Sequence, residues 1–302
     1  MTEKSDAMAM SLVGLGEILW DMFPGGKQLG GAPANFAYHA SALGTVGVPV
    51  SCIGNDENGR EIITTLKEHD VRTDGIASDS RYPTGTVTVN VDSNGKPGYT
   101  IHEQVAWDHI PWNDYMQGLA GHAAAVCFGS LAQRTPDSRR TIRKFLEHTQ
   151  GNCLRIFDIN LRQSYYSPEI IRDSLTCADV LKLNDEELPV LSTMFSLEGS
   201  VPDQLEQLID QFSLCATALT RGAHGCLLVT TAGSAEHPGI ALRSIMDTVG
   251  AGDAFTAALA VGLLSKQDPE CICEHANKLA GYVCTCKGAM PPIEQLHEYR
   301  YS

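Results

Sequence analysis

Residues 247–255 read DTVGAGDAF and run directly into TAALAVGLL at 256–264. The second part mixes small and apolar residues over about three turns (Ala254, Phe255, Ala257, Ala258, Leu259, Val261, Leu263), the pattern of a helix buried on most sides. Gly250, Ala251 and Gly252 then sit at that helix's N-terminus. There the first backbone N–H groups lack intrahelical partners and carry the positive end of the dipole, and glycine lets a ligand approach the main chain. This is an anion site with an acid, Asp253, inside it. Two readings are open for the acid. It caps the helix or balances the dipole, as first-turn acids often do. Alternatively, the anion is a phosphoryl group in transfer and Asp253 takes the proton of the attacking hydroxyl.

The bulk numbers narrow the partners. The chain has 302 residues, 43% hydrophobic and 19% charged, enough for an ample core. A formal net charge of -14 argues against nucleic acid or anionic membrane as a partner, since both are bound through basic surface. The N-terminal MTEKSDAMAM has neither a cationic start nor an apolar centre, and no apolar run nears membrane-spanning length, so a cytoplasmic protein is expected. The ten cysteines are scattered and are expected to stay reduced. Cys271/Cys273 and Cys284/Cys286 fall in helical-looking stretches where residues two apart point apart, so no zinc site is expected.

Outward from 247–264 the chain alternates apolar strand-like runs with amphipathic helical ones: VPVSCIG, REIITTLKEHD, AAAVCFGS, SRRTIRKFLEHTQ, CLRIFDIN, VLKLN, QLEQLIDQF, ATALTRG and GCLLVTT. That order predicts an α/β fold with a mostly parallel central sheet and helices on both faces. Arg139, Arg140, Arg143 and Lys144 fall on one of these helices and read as a solvated face. Residues 84–92 (TGTVTVNVD) and 99–104 (YTIHEQ) alternate at period two across the SNGKPG turn, which predicts a hairpin. With the segment from Trp20 to Gln28 it would form a small β lid. Neither GxxxxGK[ST] nor a strand-linked GxGxxG is present, so DTVGAGD is the remaining candidate phosphate cradle.

GGAPANFAYHASALG (30–44) and DTVGAGDAF (247–255) resemble the two signatures of the PfkB, or ribokinase-like, sugar kinases. LGTVGVPVSCIGNDENG, DINLR, LNDEE, TRGAHG and ANKLAGYVCTCKGA follow in the family's order between or after them. The likeness covers about residues 11–290; GGAPAN and VAWDHIPW are similar to fructokinases rather than to the GGKGAN form of ribokinases. The resemblance implies one ribokinase-like kinase domain over residues 11–302, lid segments at about 17–30 and 82–107, and residues 1–10 as a disordered tail. It implies an ATP-dependent kinase acting on a hexose hydroxyl, fructose first. 2-Keto-3-deoxygluconate, ribose or a nucleoside are the alternatives, and a catalytically silent sugar-binding member is the reading of a different class. Pairing of two copies through the β lid is a further expectation.

Roles follow from the resemblance motif by motif. Asp253 would be the general base, with Gly250, Ala251 and Gly252 forming the anion hole. Asp21, Gly30, Gly31, Asn35 and Arg162 would bind the sugar; Asp158 and Asn160 would orient Arg162 or lie near the transferring phosphate. Asn184 and Glu187 match the NxxE motif associated with the water shell of the nucleotide's Mg²⁺. Thr220, Arg221, Gly222 and Gly225 would flank the nucleotide, with Asn277 and Gly288 near the adenine. A monovalent cation such as K⁺ is implied near Asp247. Val249 stands where relatives often carry Thr, a harmless change if the ligand there is a backbone carbonyl.

Overall fold

The computed structural model describes residues 10–91, 97–292, 299 and 301. The expected tail up to residue 9 and residues 93–96 of the SNGKPG turn lie outside them. The chain opens with β1 (Ser11–Leu15), β2 (Leu19–Phe23), β3 (Gly26–Gly30) and α1 (Ala32–Ala42). Next come β4 (Val46–Gly54), α2 (Glu57–Glu68), β5 (Ile76–Asp79), β6 (Gly85–Val91), β7 (Pro97–Ile101), α3 (Asp114–Ala120) and β8 (Ala125–Phe128). They are followed by α4 (Pro136–Glu147), β9 (Leu154–Asp158), α5 (Pro168–Cys177), β10 (Val180–Asn184), α6 (Leu188–Phe195) and α7 (Val201–Phe212). The chain continues through β11 (Ala216–Thr220), β12 (Cys226–Thr230), β13 (Gly233–His237), α8 (Ala251–Leu264) and α9 (Pro269–Cys284).

Nine of these strands form one sheet in the order β13-β12-β11-β10-β9-β8-β1-β4-β5. From β11 to β5 every pairing is parallel. Alternate strand residues feed two cores, as the period of two requires. Val13, Phe128, Phe157, Leu181 and Leu183 pack on one side. Leu12, Ile156, Val180, Ala216 and Ala218 pack on the other, against Phe255 and Leu259 of α8. At the far edge, β12 and β13 run antiparallel. Only residues 221–225 join β11 to β12, too few for a crossover helix, so a parallel return is impossible there. β13 (GSAEH) escapes a hydrophobic reading because only Ala235 of its five residues is buried.

A second sheet has the order β3-β2-β6-β7 and gathers the two segments expected to form the lid. VAWDHIPW lies at its base and is packing material: Trp107 is fully buried, and Asp108 receives both Nε and Nη2 of Arg134 at 2.7 and 2.9 Å.

Candidate active site

The parallel strands β1, β8, β9 and β10 point their carboxyl ends at one crevice, where open α/β sheets gather ligands. α8 enters it with its N-terminus. Gly250 is the N-cap at φ 80, and a Cβ there would meet Ala289 at 2.5 Å, so both the left-handed backbone and the space require glycine. Small residues along α8 (Ala254, Ala257, Ala258, Ala260) let it sink fully into the core beside α1 and α9. Asp253 is thereby drawn into the crevice, half-buried in the first turn.

Asn35, on α1, donates its Nδ2 to Asp253 Oδ2 at 2.7 Å across 218 residues of sequence. Asn35 is itself buried, and its Oδ1 has no partner. Gly31, ahead of α1 at φ 111, passes so close to the Glu17 carbonyl that no side chain fits. Gly30 lies against the Asp21 carboxylate in the β2–β3 pairing; a Cβ would strike that carboxylate. The residues expected to bind the sugar, Asp21, Gly30, Gly31 and Asn35, thus lie together, and the exposed Arg162 carries its charge close enough to act on the Asp21 carboxyl.

Beneath the α8 turn lies a buried charge network that the motifs did not announce. Asp158, at the end of β9, takes Lys182 Nζ on Oδ1 at 3.0 Å and the Thr256 hydroxyl on Oδ2 at 2.9 Å. Nζ lies 3.2 Å from where a Cβ on Gly252 would stand, so the ammonium sits directly under the anion hole. Sequence reasoning missed Lys182 and Thr256. The signal for Lys182 was a lone lysine between Leu181 and Leu183 in a strand buried on both faces, where an unpaired cation is untenable. Glu17 was missed as well; it is buried after β1, and its Oε2 has no partner.

Burial sets the acid–base poise. The Asp253 carboxyl is pushed up to about 6 by desolvation and by the charge of Asp158, against the Asn35 hydrogen bond and the cations Lys182 and Arg162. Desolvation raises Asp21 to about 6, with Arg162 opposing. It raises Glu17 further, to about 7, against its own backbone N–H and Arg162.

The nucleotide-side residues divide. Asn184 and Glu187 brace the end of β10. Asn184 Oδ1 accepts the N–H groups of Glu186 and Glu187 at 2.9 Å, while Glu187 accepts Leu161 N–H and Asn184 N–H at 2.8 Å each. Each Glu187 oxygen retains a lone pair beyond these bonds. Among the described residues no cluster of three or more His, Cys, Asp or Glu side chains is built to hold a metal. That donor set suits a hydrated Mg²⁺ carried on nucleotide phosphates, touched through water, rather than an ion in a protein cage. The turn Arg221–Gly225 closes on itself through Arg221 N–H to the Gly225 carbonyl at 2.7 Å, leaving Gly222 with open space around its Cα. Thr220 directs its hydroxyl to the Leu183 carbonyl at 3.3 Å.

Two residues expected at the nucleotide also make contacts within the fold. Arg221 pairs with Glu236 at 2.8 Å, and Asn277 uses both amide protons on Cys226 Sγ at 3.0 Å and the Cys273 carbonyl at 2.7 Å. Asp247 ties its own loop to the next one, accepting Val249 N–H at 3.0 Å and Gly288 N–H at 3.2 Å. Neutral His39 holds the same loop from α1 through Nε2 to the Ala289 carbonyl at 2.9 Å; burial keeps its pKa down at about 4.

An acid and an amide, one in each of two distant glycine-rich signatures, thus meet in a single hydrogen bond above a buried lysine. A family model described as pfkB family carbohydrate kinase matches residues 17–296. The chain belongs to that family. This PfkB kinase is a phosphotransferase acting on an alcohol group, and its α/β architecture is the ribokinase-like fold. It is 30% identical over 298 residues to a fructokinase of Klebsiella pneumoniae, covering 92% of this chain and 94% of that one. A solved structure of a sugar kinase from Pyrococcus horikoshii superimposes with a TM-score of 0.83 at 30% identity, covering 96% of this chain and 97% of the other. The same P. horikoshii protein has been solved in complex with ATP. A Vibrio cholerae fructokinase solved with fructose, ADP and calcium shares the fold, with a TM-score of 0.80 at 24% identity over 98% of this chain and all of that one. Among the described residues of this PfkB kinase, no helix is long and apolar enough to cross a membrane.

Proposed function

We propose that this PfkB kinase transfers the γ-phosphoryl group of ATP to a hydroxyl of a hexose, with fructose the preferred acceptor. The observation that carries the reading is the Asn35–Asp253 hydrogen bond at the N-terminus of α8. It joins the glycine-rich sugar surface to an acid poised near neutrality inside an anion hole. Asp253 accepts the hydroxyl proton as the oxygen attacks phosphorus, and the first-turn N–H groups of Ala251, Gly252 and Asp253 face the charge on the phosphoryl oxygens. Asp21 and Asn35 hold sugar hydroxyls, Gly30 and Gly31 let the ring lie on bare backbone, and Arg162 reaches sugar or phosphate oxygens. The nucleotide lies over the ends of β10 and β11 beside Thr220, Gly222 and Gly288, with Arg221, Gly225 and Asn277 shaping the wall behind it. Glu187 and Asn184 face the water shell of Mg²⁺, which when bound neutralises phosphate charge. Free lone pairs of Asp247 and neighbouring carbonyls would hold a monovalent cation such as K⁺.

Residues 11–302 act on this reading as one kinase domain, with the second sheet as a lid that keeps water from the phosphoryl group. Two copies pair along the β7 edge, where Tyr99 stays exposed. The fructokinase relatives support the choice of sugar, as do GGAPAN and VAWDHIPW.

The test is ADP release from magnesium-ATP with fructose, other hexoses, ribose, 2-keto-3-deoxygluconate and nucleosides, with kcat/KM expected to be highest for fructose. A higher value for a nucleoside or for ketodeoxygluconate overturns the assignment, and no turnover with any acceptor supports the silent alternative. Asp21→Ala is expected to raise the fructose KM by about 10- to 150-fold, the worth of a hydrogen bond to a charged group, with a smaller change in kcat. A KM within about twofold of wild type would remove Asp21 from the sugar site.

A further inference from the structure

Glu17 is the one acid of the crevice to which the transfer reaction so far gives no task. It lines the same narrow space as Asp158, Asn160, Asp253 and Thr256, walled by Pro33, Phe36, Cys127 and Phe128. The space measures about 10 Å³, the least that admits one water molecule. Glu17 is 5% exposed and no side chain or backbone group bonds its Oε2, so an unsatisfied carboxyl oxygen lies on the space shared with Asp253. Such an arrangement costs stability and persists in folded proteins chiefly where function uses it. The charged and titratable groups facing it are Asp253 from α8, Asp158 and Arg162 from β9 and the following loop, and Cys127 from β8. Lys182 of β10 faces Asp253 and Cys127.

We propose that Glu17 is the second proton acceptor of phosphoryl transfer, taking from Asp253, directly or across one water, the proton that Asp253 removes from the sugar hydroxyl. The inference rests on the kinase reading above. As the sugar oxygen bonds to the γ-phosphorus and the bond from phosphorus to the ADP oxygen breaks, the hydroxyl proton moves to an Asp253 oxygen. That O–H bond then breaks as one forms at Glu17 Oε2, and the proton leaves to solvent when the site opens. The relay restores Asp253 as an anion and takes the proton away from the new phosphate ester, so the reverse transfer loses its acid. Burial raises both carboxyls, so each holds a proton more readily than an exposed carboxylate does. At alkaline pH both acceptors are ionised and the relay is open.

The experiment is the pH dependence of kcat with fructose at saturating magnesium-ATP, from pH 8.5 down to pH 5, for the wild type and Glu17→Gln. Two acceptors that must both be ionised give the wild type an acid limb with two breaks, whose log–log slope approaches about two. Glu17→Gln keeps size and shape but takes no proton, so its limb should fall to a slope of about one and lose one of the two breaks. A purely structural Glu17 would leave the slope unchanged while lowering kcat equally at every pH, and that result overturns the proposal. Should Glu17→Gln fail to bind fructose by calorimetry, Glu17→Asp decides: it keeps an acceptor, so the second-order limb must survive in it. A wild type that releases no ADP with any acceptor would instead mark the failure of the kinase reading itself.

Discussion

Asp253→Asn is expected to lower kcat for sugar phosphorylation by about 10²- to 10⁴-fold, the range for a positioned general base, while calorimetric sugar affinity changes little. Asparagine matches aspartate in size, caps a helix comparably and cannot accept the proton. The Asp21, Asn35 and Arg162 surface remains. A residue that merely capped α8 would give the reverse pattern, a small loss of stability with turnover nearly intact. Retention of more than about a tenth of wild-type kcat, short of the lower end of the general-base range, would therefore end the catalytic role. The same variant has a stability signature. Folding raises the Asp253 pKa to about 6, so the folded state binds this proton more tightly than the unfolded chain does. The carboxyl stabilises the fold while protonated, and that contribution is lost as pH rises through about 6. At pH 8 the wild type holds a buried charge that Asp253→Asn lacks, so the ligand-free variant is expected to melt at a higher temperature than wild type. At pH 5 the difference should shrink. A lower Tm for the variant at pH 8 would mean that the Asn35 hydrogen bond outweighs the desolvation of the charge.

The legible parts of this molecule were those whose cause is local. DTVGAGDAF announced a glycine-opened helix terminus, and the alternation of runs announced the parallel sheet, because strand burial and helix amphipathicity leave periods of two and 3.6 in the sequence. The contact of Asn35 with Asp253 spans 218 residues and has no period to betray it; only the resemblance of two signatures set them on one site. Glu17 and Lys182 stayed hidden for the opposite reason, since each is a single polar residue in an apolar run that meets its charged neighbours only through the fold. For Arg221 and Asn277, motif position gave a place beside the nucleotide but no sign that Glu236 of β13 and Cys226 of β12 would also receive their donors. The polar strand β13 left no hydrophobic pattern to show that it would lie there.

Lys182→Met is expected to affect folding and turnover at once, and a second substitution separates the two. The Lys182 and Asp158 side chains are 9% and 5% exposed, and removing the cation strands the carboxylate in the core. Breaking a buried pair from one side costs about 3–5 kcal/mol, a large share of the roughly 5–15 kcal/mol that holds a domain folded. Replacing both partners by apolar residues of similar volume is often neutral, because the desolvation cost disappears with the charges. Lys182→Met/Asp158→Leu should therefore recover most of the lost stability, the Thr256 hydroxyl keeping its other acceptor, the Gly252 carbonyl, at 2.9 Å. Turnover should not recover with it. Lys182 also opposes the rise in the Asp253 pKa and lies directly beneath Gly252, where no other side chain replaces its charge. Without it the acid limb of kcat in the single variant moves to higher pH. In the double variant the loss of the Asp158 carboxylate, which raises the Asp253 pKa more than Lys182 lowers it, returns that limb to its wild-type position or below. What the double variant cannot regain is the ammonium under the anion hole, so its kcat at pH 8, where Asp253 is ionised in every form, should stay well below wild type. Chemical denaturation and saturating kinetics on the four members of the cycle give both answers. If kcat and stability recover together, Lys182 serves only to neutralise Asp158, and the anion hole owes its field to the α8 terminus alone.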